Sequence, residues 1–195
     1  MPNWCSNILN IRGPEHGELT EVWREGRPFQ QLVPAPTTWT KEEIEMLKES
    51  LGPIALLEQV TEQDAWYWWR LEHWGTKWDL TRDDIEVSES EGEDGVETRI
   101  RFSTAWSPPI PVIAAASRLY PHLTLTLIYC ECSMEFAGDA TFVGGSERES
   151  NHYEGGPEYR RIAADFGWEA DEEEGNDSLI PSENEPPVDW AKEGF

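Results

Sequence analysis

Between residues 66 and 79 the chain reads Trp66-Tyr67-Trp68-Trp69-Arg70-Leu71-Glu72-His73-Trp74-Gly75-Thr76-Lys77-Trp78-Asp79 and places there five of its 11 tryptophans. Indole rings offer flat π faces that stack bases, nucleotides or peptide side chains. Lys77 and His73 add positive charge that suits a ligand phosphate. His73, Trp74, Lys77 and Trp78, joined by Trp106, therefore form a candidate ligand pocket. The same residues equally suit a core wedge that closes the open side of a sheet, with Lys77 packed over an indole as a cation–π pair.

Other chemistry is thin. Cys130-Glu131-Cys132 sets two thiols on one face of a strand, but zinc sites gather four ligands, and Cys5 and a histidine would have to join. No metal site is expected. Cys5 with His73 or His122 lacks an activating motif. Glu131 and Glu135 have acid–base chemistry, but among 39 acidic residues a carboxylate pair carries no signal. Gly144-Gly145-Ser146 opens no helix and so is no phosphate loop. The sequence thus calls for no catalytic residues, no cofactor and no enzyme. Three cysteines without an export signal fit free thiols in a reducing compartment. No apolar run is long enough to span a membrane, and a bacterial cytoplasm is the expected location.

Charge is the next clue. Lys and Arg number 15 against 39 Asp and Glu, for a net −24. Residues 1–146 hold 24 acids and 11 bases, and residues 147–195 hold 15 and 4. Such a field repels phosphates and anionic membranes and attracts basic surfaces. Direct nucleic-acid binding along an extended strand and membrane binding are both disfavoured. Asp83, Asp84, Glu86, Glu89, Glu91, Glu93 and Asp94 crowd one hairpin and are the candidate contacts for a host protein with a basic surface.

Periodicity supplies the elements. Residues 3–13 alternate as a strand, with Cys5, Leu9 and Ile11 on one side and Trp4, Ile8 and Asn10 on the other. Residues 15–26 form a helix, and proline-rich 28–39 an ordered loop pinned by Phe29, Leu32 and Val33. Thr40 caps a second helix, with Glu43 at the capping-box position. Residues 62–73 form a helix ended by Gly75; strands at 78–89 and 98–106 flank the acidic turn. A helix over 109–120, a strand over 122–131 and a hairpin to Val143 follow. Residues 157–168 form a short helix docked by Tyr159, Ile162, Ala163 and Phe166. Residues 169–189 are too acidic and polar to order themselves. Without its insertion the order is β-α-β-β-α-β, the α+β ferredoxin-like plan. The expected domain spans 1–146 with a helical insertion at about 28–75, followed by an acidic, partly disordered extension over 147–195. Open sheet edges leave room for a homodimer.

Met1-Pro2-Asn3-Trp4-Cys5-Ser6-Asn7, His73-Trp74-Gly75-Thr76-Lys77-Trp78, Thr104-Ala105-Trp106-Ser107-Pro108-Pro109, Tyr129-Cys130-Glu131 and Phe136-Ala137-Gly138 together resemble the YubB ferredoxin-like family of plasmids, integrative elements and phages. Cys132-Ser133 departs from it, standing where a small residue such as glycine is expected. The resemblance implies a ferredoxin-like fold and a mobile-element origin, and assigns no catalytic residue. Joined to the charge, it leads to the expectation of a non-enzymatic accessory or counter-defence protein. Such a protein would inhibit a host nucleic-acid-handling protein through a surface that mimics nucleic acid. A nucleotide-like ligand held by the tryptophan cluster is the alternative.

Overall fold

A computed structural model describes residues 3–53, 60–92 and 95–168. Six antiparallel strands form one sheet in the order β2-β3-β1-β4-β5-β6. They are β1 (Trp4–Arg12), β2 (Glu86–Gly92), β3 (Gly95–Ala105), β4 (Thr124–Glu131), β5 (Phe136–Val143) and β6 (Ser146–Glu154). The helices are α1 (Gly17–Glu25), α2 (Pro28–Leu32), α3 (Lys41–Leu51), α4 (Ala65–Trp74), α5 (Ile110–Leu119) and α6 (Gly156–Asp165). The first four strands with α1 and α5 make the ferredoxin-like α+β unit, and α2 to α4 fill the insertion.

β1 lies between β3 and β4, and its alternation sorts the two faces. Cys5, Leu9 and Ile11 turn to the helical side and join Leu19 and Trp23 of α1, Phe29, Trp74, Ile113, Leu125 and Leu127 in the main core. Each large side chain removed from water there contributes about 1.5–3 kcal/mol. Trp4, Ser6, Ile8, Asn10 and Arg12 turn to the opposite face. That face is covered over β4 and β5 by α6, whose Tyr159, Ile162 and Ala163 pack at helical spacing on Cys130 and Ala137. α6 makes no contact of comparable extent with β1, β2 or β3.

Several local expectations hold in atomic detail. Thr40 Oγ1 accepts the Glu43 N–H at 3.2 Å, and the Glu43 carboxylate accepts the Thr40 N–H at 2.7 Å, so the capping box that starts α3 is complete. Others change for identifiable reasons. The segment at 28–39 contains α2, because the Asp79 carboxylate accepts the N–H groups of Phe29 at 3.1 Å and Gln30 at 2.8 Å and so caps a helix from a distance. The segment from Trp78 is consequently not extended: Asp79 is engaged with α2, and Thr81 and Asp84 close a one-turn 3-10 helix over Arg82–Asp84, so β2 begins only at Glu86. Past residue 146, the expected domain boundary, β6 pairs with the whole of β5 and α6 follows. Residues 54–59 and the acidic segment from 169, with Trp190 and Phe195, lie outside the described residues.

The Phe136-Ala137-Gly138 motif has a steric cause. The buried Tyr129 hydroxyl donates to Asn151 O at 3.4 Å and lies 3.1 Å from His152 Nδ1. Burial pushes its pKa up to about 12. Any Cβ at Gly138 would collide with Asn151 O and the Tyr129 hydroxyl oxygen. Gly138→Ala should therefore cost about 1–3 kcal/mol by overpacking, read as a lower urea midpoint at unchanged slope.

Candidate functional site

Three of the sequence motifs meet at one end of β1 and β3. The Asn7 side-chain amide donates to Cys5 O at 2.8 Å and Thr104 Oγ1 at 2.9 Å. Thr104 Oγ1 donates to Ser107 O at 2.7 Å, and Ser107 Oγ donates to Gly75 O at 2.5 Å. Thr76 Oγ1 donates to Ala105 O at 3.0 Å, and Trp106 N–H to Asn3 O at 2.9 Å. Gly75, at φ +81°, closes α4 against Pro111 and the Pro108 carbonyl, leaving no room for a side chain.

This lock sets the aromatic residues. Trp106 holds a left-handed backbone at φ +66°, a costly state for a bulky residue, of order 1–2 kcal/mol. Its indole is 39% exposed, as Trp78 is 38% and Trp4 51%. Trp4 lies 6.2 Å from Trp78, which stacks at 6.3 Å on Trp106, which meets Tyr67 edge-on at 6.5 Å. Lys77 Nζ sits among the rings, 4.8 Å from Trp78, 5.4 Å from Trp106, 5.5 Å from Tyr67 and 5.9 Å from Trp66. An ammonium over four π faces fixes the indoles while they stay accessible. Arg70 extends the set, its guanidinium 4.7 Å from Trp74 and 5.2 Å from Trp66.

Trp78 also lines a cleft of about 560 Å³, within the size range of small-ligand sites. Trp4, Trp78 and Trp168 line it together with Ser6, Ser103, Asp79 and Asp84. Burial raises the Asp79 pKa against the pull of three backbone N–H groups. Hydrogen bonds from Thr81 hold the Asp84 carboxyl below its usual value.

Of the expected pocket residues, Lys77, Trp78 and Trp106 come together. Trp74 does not join them: it is fully buried in the main core, its Nε1 donating to Val33 O at 2.8 Å. His73 points elsewhere, stacked on Trp69 at 4.2 Å in a second cleft of about 290 Å³ between α3 and α4. Nor does α4 close the open side of the sheet, since Trp74 inserts on the helical side. Trp4, Trp168, Ser6 and Ser103 escaped the sequence reading. Alternation did place Trp4 on the outer face, but its proximity to Trp78 is a tertiary fact.

The acidic cluster divides. Asp83 and Asp84 lie on the 3-10 turn, Glu86 faces outward opposite Arg101, and Glu91 is exposed. Glu89 turns to the helical side and pairs with Arg24 at 2.5 Å. Glu93 and Asp94 lie outside the described residues. No helix among the described residues is long and apolar enough to cross a membrane.

Residues 74–177 match the family described as the ferredoxin-like domain in Api92-like protein. A crystal structure of a protein Api92 from Yersinia pseudotuberculosis aligns at 9% identity and a TM-score of 0.49, over 80% of this chain and 100% of that one. No curated protein matches the chain.

The thiols form a separate group. Cys130 and Cys132 Sγ lie 3.5 Å apart, and all three cysteines are free. Burial pushes the Cys130 thiol up to about 12 and raises Cys5 and Cys132 as well. Glu131 is buried and accepts the N–H groups of Ser133 at 3.1 Å and Met134 at 2.5 Å, which makes it a turn cap. Thiols held protonated are poor nucleophiles. Iodoacetamide at pH 8 should alkylate the native protein at least about tenfold more slowly than a free cysteine, and the difference should vanish in denaturant.

Proposed function

This chain belongs to the family of ferredoxin-like domains in Api92-like proteins, and from that premise we propose that it is a non-enzymatic binding protein that stacks a flat, nucleotide-like ligand in the tryptophan cleft. The observation that carries the reading is the half-exposed set Trp4, Trp78 and Trp106, pinned by Lys77 and by a strained backbone at Trp106, beside a cleft of about 560 Å³. Backbone strain kept at an exposed aromatic residue is characteristic of sites under functional constraint. Stacking contributes about 1–3 kcal/mol per base, and Ser6 and Ser103 add polar groups to the lining of the cleft.

The acidic surface supports a second reading. Asp83, Asp84, Glu86 and Glu91 are exposed, and none has an ion pair among the described residues. With the resemblance to the YubB family, this favours a mobile-element accessory or counter-defence protein whose partner is a host nucleic-acid-handling protein with a basic surface. Glu89 contributes less than its neighbours because Arg24 neutralises it.

Titration with a panel of nucleosides and nucleotides should quench tryptophan fluorescence saturably. Trp78→Ala and Lys77→Met should each weaken binding about tenfold or more, whereas Trp39→Ala in the second cleft should not. A panel that gives no saturable response in the parent protein would sink the stacking reading. For the second reading, reversing Asp83, Asp84, Glu86 and Glu91 to Lys should abolish salt-sensitive capture of a basic bacterial protein; undiminished capture would count against it.

A further inference from the structure

We propose that the tryptophan cleft selects a ligand whose flat ring carries positive charge, of the kind an N-alkylated nucleobase presents, and that Asp84 recognises that charge. The inference rests on the stacking reading and adds the sign of the ligand. The first observation is the lining. Trp4, Trp78 and Trp168 line the cleft with Asp79 and Asp84, and no Lys, Arg or His lines it among the described residues. A phosphate placed there would meet carboxylates and no lining cation, in a chain of net charge −24. Lys77, the base that composition offers to a phosphate, is outside the lining.

A second observation is the angle between the rings. The Trp4 and Trp78 planes are inclined at 39°, with centroids 6.2 Å apart. One planar ligand cannot lie flat on both, so stacking supplies the share of a single ring. A cation is drawn to the face of each indole and does not need parallel planes. Positive charge therefore lets one ligand use both rings. The same chemistry is present in the molecule itself, where Lys77 Nζ sits 4.8 Å from the Trp78 centroid and 5.4 Å from that of Trp106.

The two carboxylates differ in what they have left to give. Asp79 Oδ1 accepts the N–H groups of Phe29 and Leu80, Oδ2 accepts that of Gln30, and Arg27 adds positive charge nearby. Asp79 is thus committed to holding α2. Asp84 uses only Oδ2, which accepts the Thr81 N–H at 2.9 Å and the Thr81 hydroxyl at 2.6 Å. Its Oδ1 accepts no hydrogen bond, and the exposed carboxylate has no ion pair, among the described residues. The bonds from Thr81 hold its pKa below the usual value, so the charge persists in mildly acidic solution. A carboxylate fixed by a capping turn, with one oxygen open beside indoles, complements a cationic ring by charge and by accepting an N–H. The second cleft also sets indoles beside carboxylates, Trp39 and Trp69 with Glu43 and Glu72. There Glu43 is engaged in the capping box of α3, and Glu72 accepts the Ser50 hydroxyl.

The test uses the full chain, titrated calorimetrically in mildly acidic buffer with guanosine, guanosine monophosphate and 7-methylguanosine, whose ring is a cation there. 7-Methylguanosine should bind at least about fivefold tighter than guanosine, and the monophosphate more weakly than guanosine. In D84N the amide oxygen can still accept the bonds from Thr81, and the preference for the methylated ring should fall at least about threefold. E72Q, in the second cleft, should leave that preference intact. Saturable guanosine binding without preference for the methylated ring, or tighter binding of the monophosphate, overturns the inference and leaves the stacking reading standing. No binding of any of the three overturns both. A preference that survives D84N, or that E72Q removes, overturns the assignment to Asp84 and to this cleft. The parent titrations decide the sign of the ligand without any variant.

Discussion

A buried amide at Asn7 governs the functional end of this molecule. Its N–H groups must find acceptors inside the sheet, and the two within reach are Cys5 O and Thr104 Oγ1. Thr104 then holds the Ser107 carbonyl, and Ser107 holds the end of α4 through Gly75. Each link left unmade would leave a desolvated polar group at a cost of about 1–3 kcal/mol. The links also fix where the chain turns after β3, which forces Trp106 into its left-handed backbone and its indole outward. The exposed aromatic surface therefore depends on a polar network in which no aromatic ring takes part.

Charge is partitioned by the same geometry that partitions apolar side chains. Alternation along β2 sends Glu86 to one face and Glu89 to the other, where Arg24 meets it. Alternation along β3 collects Arg99 and Arg101 on a single face. A net charge taken over the whole sequence averages these away. Lys77, one of few cations, is held by π faces and remains beside the cleft.

The fold was legible where local rules decide. The Thr40 and Glu43 capping box, the facing of Cys5, Leu9 and Ile11, and the docking of Tyr159, Ile162 and Ala163 follow from periodicity and cap chemistry alone. Failures fell where a distant residue decides. Asp79 caps α2 from about 50 positions away and so shortens the strand read from Trp78. Strand β6, Ser-Glu-Arg-Glu-Ser-Asn-His-Tyr-Glu, is polar throughout and has no hydrophobic alternation to betray it; its place is set by pairing with β5. At the site, composition named Lys77, Trp78 and Trp106, but residues adjacent in sequence parted: the α4 helix turns Trp74 into the core and His73 away from Lys77.

The unremarkable sequence of β6 has a consequence for self-association. A six-stranded open sheet ends in two rows of backbone donors and acceptors free to recruit another strand. Here Glu86 and Glu91 stand along one rim, and Glu147, Glu149 and Glu154, against the single cation Arg148, along the other. Antiparallel pairing of like rims, or of one rim with the other, would bring carboxylate towards carboxylate across a spacing of about 5 Å, where like charges repel. Sheet growth is thereby opposed electrostatically at both rims.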